Sequence, residues 1–202
     1  MPYGRVRELL ADLFGAHLSL GVLVTWVQQA AAILEPVEAA IKAALRQAPV
    51  LHSDETGVRL AGRVAWAHVA STSRLTHYAI HPSRGREATD AIGILPIYHG
   101  VSVHDGWAAY RTYTSCRHAL CNAHHLRELT FLEEAYAQAW AKDLKELLCQ
   151  MKAATDRARA QETRCLPAAE RDGFVTRYQA LLAAGLAANP PPARPPQAVP
   201  SA

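Results

Sequence analysis

Between Pro49 and Leu120 the apolar residues come in short runs, whereas on both sides of that stretch they recur every three or four positions. The two patterns belong to different backbones. A strand turns successive side chains to opposite faces, and a helix returns to one face about every 3.6 residues. A chain patterned helix, strands, helix must build a mixed architecture, so an α/β (α+β) fold is expected.

From Arg5 to about Arg46 the pattern is helical. Val6, Leu9, Leu10, Leu13 and Phe14 recur at helical spacing, and Gly15 closes the segment. Ser19 is placed to cap a second helix through Val22, Trp26, Ala30 and Ile33, and Pro36 stands near the start of a third. Such an arrangement is compatible with a DNA-reading helix-turn-helix and equally with a plain helical hairpin. The apolar stretch from Leu18 to Ile33 is interrupted by Thr25, Gln28 and Gln29 and falls short of the roughly 20 residues of a membrane span. The opening residues lack the charged-then-apolar layout of a signal peptide, and the four cysteines are too few for a disulfide framework. A reduced, cytoplasmic protein with no membrane partner is expected.

In the central region Val50-Leu51 leads into Asp54. Val58–Leu60 and Val64–Ala70 flank the turn residues Ala61-Gly62, and Leu75–Ile80 follows as a third strand. A short helix over Glu87–Ile92, after a turn at Gly85, separates these from strands at Gly100–His104 and Cys116–Leu120. Beyond Asn122 the chain is helical again. Leu129, Leu132, Tyr136, Trp140, Leu144, Leu147 and Met151 form one long stripe, and after a break at Pro167 a second stripe carries Phe174, Tyr178, Leu181 and Leu182. Six prolines fill residues 189–202, a composition that buries no core and is expected to be disordered.

Two acidic residues stand apart. Asp54 follows Pro49-Val-Leu-His-Ser53 and precedes Glu55-Thr-Gly57; Asp105 follows Val101-Ser-Val-His104 and precedes Gly106-Trp107. In both, an apolar run ends at an aspartate and a glycine-containing turn follows. Aspartates at strand ends converge on a rigid scaffold and can share a hard cation such as Mg²⁺ or Mn²⁺. Equally, each can simply cap its turn. Nine of the ten histidines lie between His52 and His125. Cys116, His118, Cys121, His124 and His125 have zinc-like spacing, but strand alternation would put Cys116 and His118 on the face opposite Cys121. Asn122 is expected to cap the next helix, which brings His124, His125 and Arg127 near an N-terminus that favours DNA phosphate. Net charge is only +3, with the basic excess in the last fifty residues, so charge alone does not announce a nucleic-acid partner.

The segments His52-Ser-Asp-Glu-Thr-Gly57, Val103-His-Asp-Gly-Trp-Ala-Ala-Tyr110 and Cys121-Asn-Ala-His-His-Leu-Arg-Glu-Leu129 closely resemble the central domain of the insertion sequence 66 family of bacterial transposases. Trp66-Ala-His-Val-Ala-Ser71 and Asp90-Ala-Ile-Gly-Ile-Leu95 are similar too. The resemblance implies an incomplete ribonuclease-H-like mixed sheet with N-terminal helices and a C-terminal α-helical hairpin insertion. It divides the chain into an N-terminal helical region at 1–48, a partial catalytic core at 49–128, a helical insertion at 129–188 and the proline-rich tail at 189–202. It implies that Asp54 and Asp105 are the catalytic aspartates and bind Mg²⁺ or Mn²⁺, for DNA strand cleavage and transfer at transposon ends and target. The family's third acid, a glutamate in an Asn-Asn-x-x-Glu-Arg-like motif, has no counterpart here; Glu128, 23 residues after Asp105, is the one candidate substitute inside the matched motifs, and the helix dipole equally accounts for a carboxylate near that helix start. A piece of a DDE-type transposase, truncated at both ends and inactive alone, is therefore expected. The alternatives are a non-catalytic module that binds DNA, a full-length transposase or itself as a homo-oligomer, and an unrelated metal-dependent nuclease or phosphatase of the same fold.

Overall fold

The computed structural model describes residues 2–190; the proline-rich segment beyond lies outside them. The chain forms two compact units, Met1–Ala119 and Leu120–Ala202.

The first unit opens with helices α1 (Tyr3–Phe14) and α2 (Leu20–Arg46). Gly15 ends α1 in the left-handed region at φ 65°, and Ser19 caps α2 by accepting from the Val22 amide at 3.2 Å. Pro36 does not begin a third helix but sits inside α2. The ring removes one backbone donor, and the apolar and alanine-rich turns on either side carry the helix through it. The uninterrupted α2 is longer than its first apolar stretch suggested, and its best window reaches a mean hydropathy of 1.3, enough by length and composition to cross a membrane. Its C-terminal turns are nevertheless committed to the protein core. Leu45 is fully buried, Ile41 packs on the same cluster, and Arg46 Nε donates to the Gly93 carbonyl at 3.0 Å.

Five strands follow the order β3-β2-β1-β4-β5, where β1 is Val50–Leu60, β2 Arg63–Ser71, β3 Thr76–His81, β4 Val101–His104 and β5 Arg117–Leu120. The first three are an antiparallel meander, and β1 pairs with β4 in parallel. Ala61 and Gly62, at φ 49° and 79°, make the two-residue turn joining β1 to β2, the mirror-image geometry that matches strand twist. Helix α3 (Arg86–Ile92) follows its N-cap Gly85, one residue ahead of the expected start at Glu87, and, with a 3₁₀ turn at Leu95–Ile97, lies between β3 and β4 in sequence.

One face of the sheet is covered. Leu51, Ala70, Ile94, Leu95, Tyr98, Tyr110 and Tyr113 join Leu45 in the core. Tyr98, fully buried, donates its hydroxyl to the Ala48 carbonyl at 2.9 Å, which ties the α2–β1 junction to the start of β4. The opposite face keeps Val50, Tyr78 and Ile80 exposed.

Among the described residues the second unit holds three helices: α4 (Asn122–Tyr136), α5 (Ala139–Ala160) and α6 (Ala168–Ala188). The single long stripe read from the sequence is split. Ala137 adopts φ 50°, its amide bonds the Glu133 carbonyl, and the Gln138 amide reaches Leu132, the 6→1 closure that ends a helix. Leu129, Ala141, Leu144 and Leu147 form the core, with Phe174 and Leu181 of α6 against it.

Candidate functional site

The sheet register decides where the two aspartates stand. Parallel pairing of β1 and β4 matches Val50 with Val101, Leu51 with Ser102 and His52 with Val103. Two residues beyond the last registered pair, His52 and Val103, come Asp54 on β1 and Asp105 just past the end of β4. Registered residues on neighbouring parallel strands project from the same face, about 4.8 Å apart. Burial alternates accordingly: Leu51, Ser53, Ser102 and His104 are inward, while His52 and Asp54 are exposed and Asp105 half-buried.

The two aspartates differ in one respect from the sequence reading. Asp105 lies one residue past the end of β4, and its Oδ1 accepts the Trp107 amide at 2.8 Å in a turn through Gly106, at φ 95°. Asp54 does not end its strand. β1 continues past Gly57 to Leu60 because β2 pairs with it along that whole length. Asp54 instead marks where β4 leaves β1, and its Oδ1 accepts the neighbouring Glu55 amide at 2.9 Å.

Beside Asp105 is the inward His104, which meets the exposed His118. His104 is 1% exposed; its Nδ1 accepts from the Gly106 amide at 3.0 Å, and its Nε2 is 3.0 Å from Nδ1 of His118. His118 Nε2 is 3.0 Å from the Tyr113 carbonyl. An amide only donates, so His104 Nδ1 is the acceptor and the ring's proton sits on Nε2, toward His118. Burial first, then His118, hold His104 below the ordinary histidine value. This wiring fixes the turn that carries Asp105.

Glu55, next to Asp54, points the other way. Its side chain is 1% exposed, and it accepts from Arg84 Nε at 2.8 Å and from the Tyr110 hydroxyl. Desolvation and the Glu55 hydrogen bond, helped by Asp105 and Asp54, push the Tyr110 hydroxyl far above the usual phenol range. Arg84 in turn lies 3.8 Å from the Trp107 ring centroid and 4.9 Å from that of Trp66. The sequence reading did not find Arg84. A signal existed in the alternation of β1, where Leu51, Ser53 and Glu55 share the inward face, since a buried carboxylate demands a cation.

His124, His125 and Arg127 lie on the first turns of α4 in the second unit, His124 and His125 half-buried and Arg127 exposed. The residue that caps α4 is Cys121, without a side-chain bond; Asn122 is already helical. His125 and Glu128 line a groove of about 510 Å³ whose walls are chiefly apolar, including Leu132, Trp140 and Leu148. Cys116 is buried 3.9 Å from His118 Nε2, and burial raises its thiol. Among the described residues, no three His, Cys, Asp or Glu side chains gather as a metal-holding group.

The family model described as Transposase IS66 family matches residues 1–197. The chain belongs to that family. No curated protein matches it. Among solved structures, a chain of the simian T-cell lymphotropic virus intasome in complex with the PP2A regulatory subunit B56 gamma is similar at 15% identity and a TM-score of 0.30. That match covers 75% of this IS66-family chain and 58% of the other, so this chain spans less than two thirds of that neighbour's length.

Proposed function

We propose that the first unit is the catalytic core of a DDE-type transposase with a ribonuclease-H-like sheet, acting on DNA in the cytoplasm, and that this chain alone is inactive. The observation that carries the reading is that Asp54 and Asp105 each stand two residues beyond the last registered pair of β1 and β4, His52 and Val103. The strand order β3-β2-β1-β4-β5, antiparallel until β4 joins β1 in parallel, supports the fold assignment. Two carboxylates so placed are hard oxygen donors suited to one Mg²⁺ or Mn²⁺, because Mg²⁺ keeps several waters and takes one or two protein carboxylates plus substrate phosphate. Asp54 and Asp105 would hold that ion, which when bound supplies Lewis-acid polarisation of a phosphoryl oxygen. With no third acidic side chain grouped there among the described residues, a two-ion clamp is incomplete. His124, His125 and Arg127 are proposed to contact DNA phosphate from the start of α4.

The test is incubation of the purified chain with transposon-end DNA and Mg²⁺ or Mn²⁺. No cleavage is expected. Cleavage that vanishes in Asp54→Ala would overturn the inactivity and keep the catalytic assignment; metal-dependent cleavage that survives both Asp54→Ala and Asp105→Ala would overturn the assignment itself.

A second reading, a non-catalytic module that assembles with a full-length transposase or a second copy, is favoured by α2. From Leu20 to Leu34 the helix carries no charged residue, yet Trp26 is 50% exposed and Ile33 75%. Exposed apolar surface of this extent is the mark of an interaction face. Sedimentation of the chain as a concentration-independent monomer, alone and mixed with an intact family member, would count against it.

A further inference from the structure

Arg84 is held as a binding arginine is held. Its Nε donates to Glu55, a carboxylate with 1% of its side chain exposed and its second oxygen taken by Tyr110. Its guanidinium lies over the indoles of Trp107 and Trp66, at 3.8 and 4.9 Å. The preceding segment is pinned as well: the Ser83 amide donates to His81 Nδ1 at 3.0 Å, and His68 Nε2 meets the Ser83 carbonyl at 3.2 Å. Only one of its five N–H donors is engaged within the described residues. The side chain is 31% exposed, so Nη1 and Nη2 present an unused fork toward solvent.

That fork matches the two free oxygens of a phosphodiester, and a guanidinium already ordered loses little rotamer entropy on binding. Its position matters equally. Glu55 adjoins Asp54, and the amide of Trp107 is the donor that Asp105 accepts. A polyanion brought to two aspartates needs a nearby cation, and Arg84 is tied to both segments that carry them. Trp107 itself is 39% exposed and offers ring surface on which a base can stack.

We infer that Arg84 and Trp107 form a nucleotide subsite for an unpaired DNA strand, with the Arg84 fork on a phosphodiester and a base on the Trp107 indole. The inference rests on the DNA-acting reading of this core, and it assigns how a strand is seated beside the aspartate pair.

The experiment is anisotropy of a labelled single-stranded oligonucleotide with the full chain, in low salt and chelator, so that the aspartates play no metal-dependent part. Arg84→Ala would strand the buried Glu55, so two other variants are used. Arg84→Lys keeps the ion pair and loses the fork; the double variant Glu55→Gln/Arg84→Met removes both charges together. Each is expected to weaken binding about tenfold with the thermal midpoint little changed, and Trp107→Ala to weaken it roughly 5- to 100-fold while Trp107→Phe recovers part, in line with stacking energies. Binding by Arg84→Lys and Trp107→Ala within twofold of the parent would overturn the subsite, as would a parent chain that retains no oligonucleotide. Mn²⁺ binding that depends on Asp54 and Asp105, measured separately, tells the two ideas apart: if it persists while Arg84 and Trp107 prove irrelevant, only the subsite fails. If Arg84 and Trp107 govern DNA binding while the aspartates hold no ion, only the catalytic reading fails.

Discussion

His104 Nε2 stands 3.0 Å from Nδ1 of His118, while the Gly106 amide donates to the other ring nitrogen of His104 at 3.0 Å. Around His104 stand His118, Asp105 and Arg111 as charged or titrating neighbours, with the Tyr110 ring stacked at 4.8 Å. Protonation would put a hydrogen on Nδ1, facing the Gly106 amide that it now accepts. Because the folded value lies below the ordinary 6.5, the unfolded chain binds the proton more readily. The contribution of this group is therefore complete above about 6.5 and lost as pH falls through the lower folded value. Urea unfolding of the first unit should show a midpoint that falls between pH 7.5 and 5.5, and the slope should be shallower in His104→Gln.

Asp54 and Asp105 are the pair proposed to hold a divalent ion. Asp54→Asn or Asp105→Asn should each weaken Mn²⁺ binding at least tenfold. Mn²⁺ titration of the two variants, beside a denaturation curve in chelator that shows each is folded, checks this.

Gly100 precedes β4 at a place where no side chain fits. A Cβ there would lie 2.7 Å from the Ala48 carbonyl oxygen and collide with the Tyr98 side chain. The obstacle is backbone on one side and a fully buried ring on the other, so relief must come from moving β4. Gly100→Ala is expected to cost about 1–3 kcal/mol, read from the denaturant midpoint.

At Ala61 the direction reverses. An alanine at φ 49° in a two-residue turn occupies a conformation that asparagine tolerates better. Ala61→Asn should stabilise the hairpin by about 0.5 kcal/mol, visible as a higher thermal midpoint with unchanged oligonucleotide binding.

In the second unit Gly185 of α6 lies against Trp140, where a Cβ would approach the indole to 2.9 Å. Gly185→Ala should loosen the α5–α6 contact by about 1–3 kcal/mol and change Trp140 emission.

The strands were legible because alternation and turn chemistry agree: Ala61-Gly62 between two apolar runs names a hairpin from residue types alone. Helix boundaries were less so. Pro36 reads as a start, but a long helix with apolar and alanine-rich turns on both sides absorbs it. Ala137 reads as helix interior because the left-handed cap falls on alanine instead of glycine. Gly57 suggested a turn after Asp54, and pairing with β2 overrode it. Of the candidate site, the two aspartates could be picked out by their position after apolar runs. The alternation of β1 marks Glu55 as inward and in need of a cation but does not name Arg84, since 29 residues separate the partners and only the folded sheet brings them together.

β1 is eleven residues long, while β4 accompanies it only from Val50 to His52. Past Asp54, the side of β1 turned away from β2 has no ladder partner among the described residues, and its amides and carbonyls form an open template. An extended segment from another molecule can add there as a further strand, the usual route to sheet-edge association. Arg59, exposed along that border, is the kind of charged gatekeeper that discourages such pairing. The parting of strands beside the carboxylates thus also leaves β1 laddered on one side alone beyond that point, among the described residues.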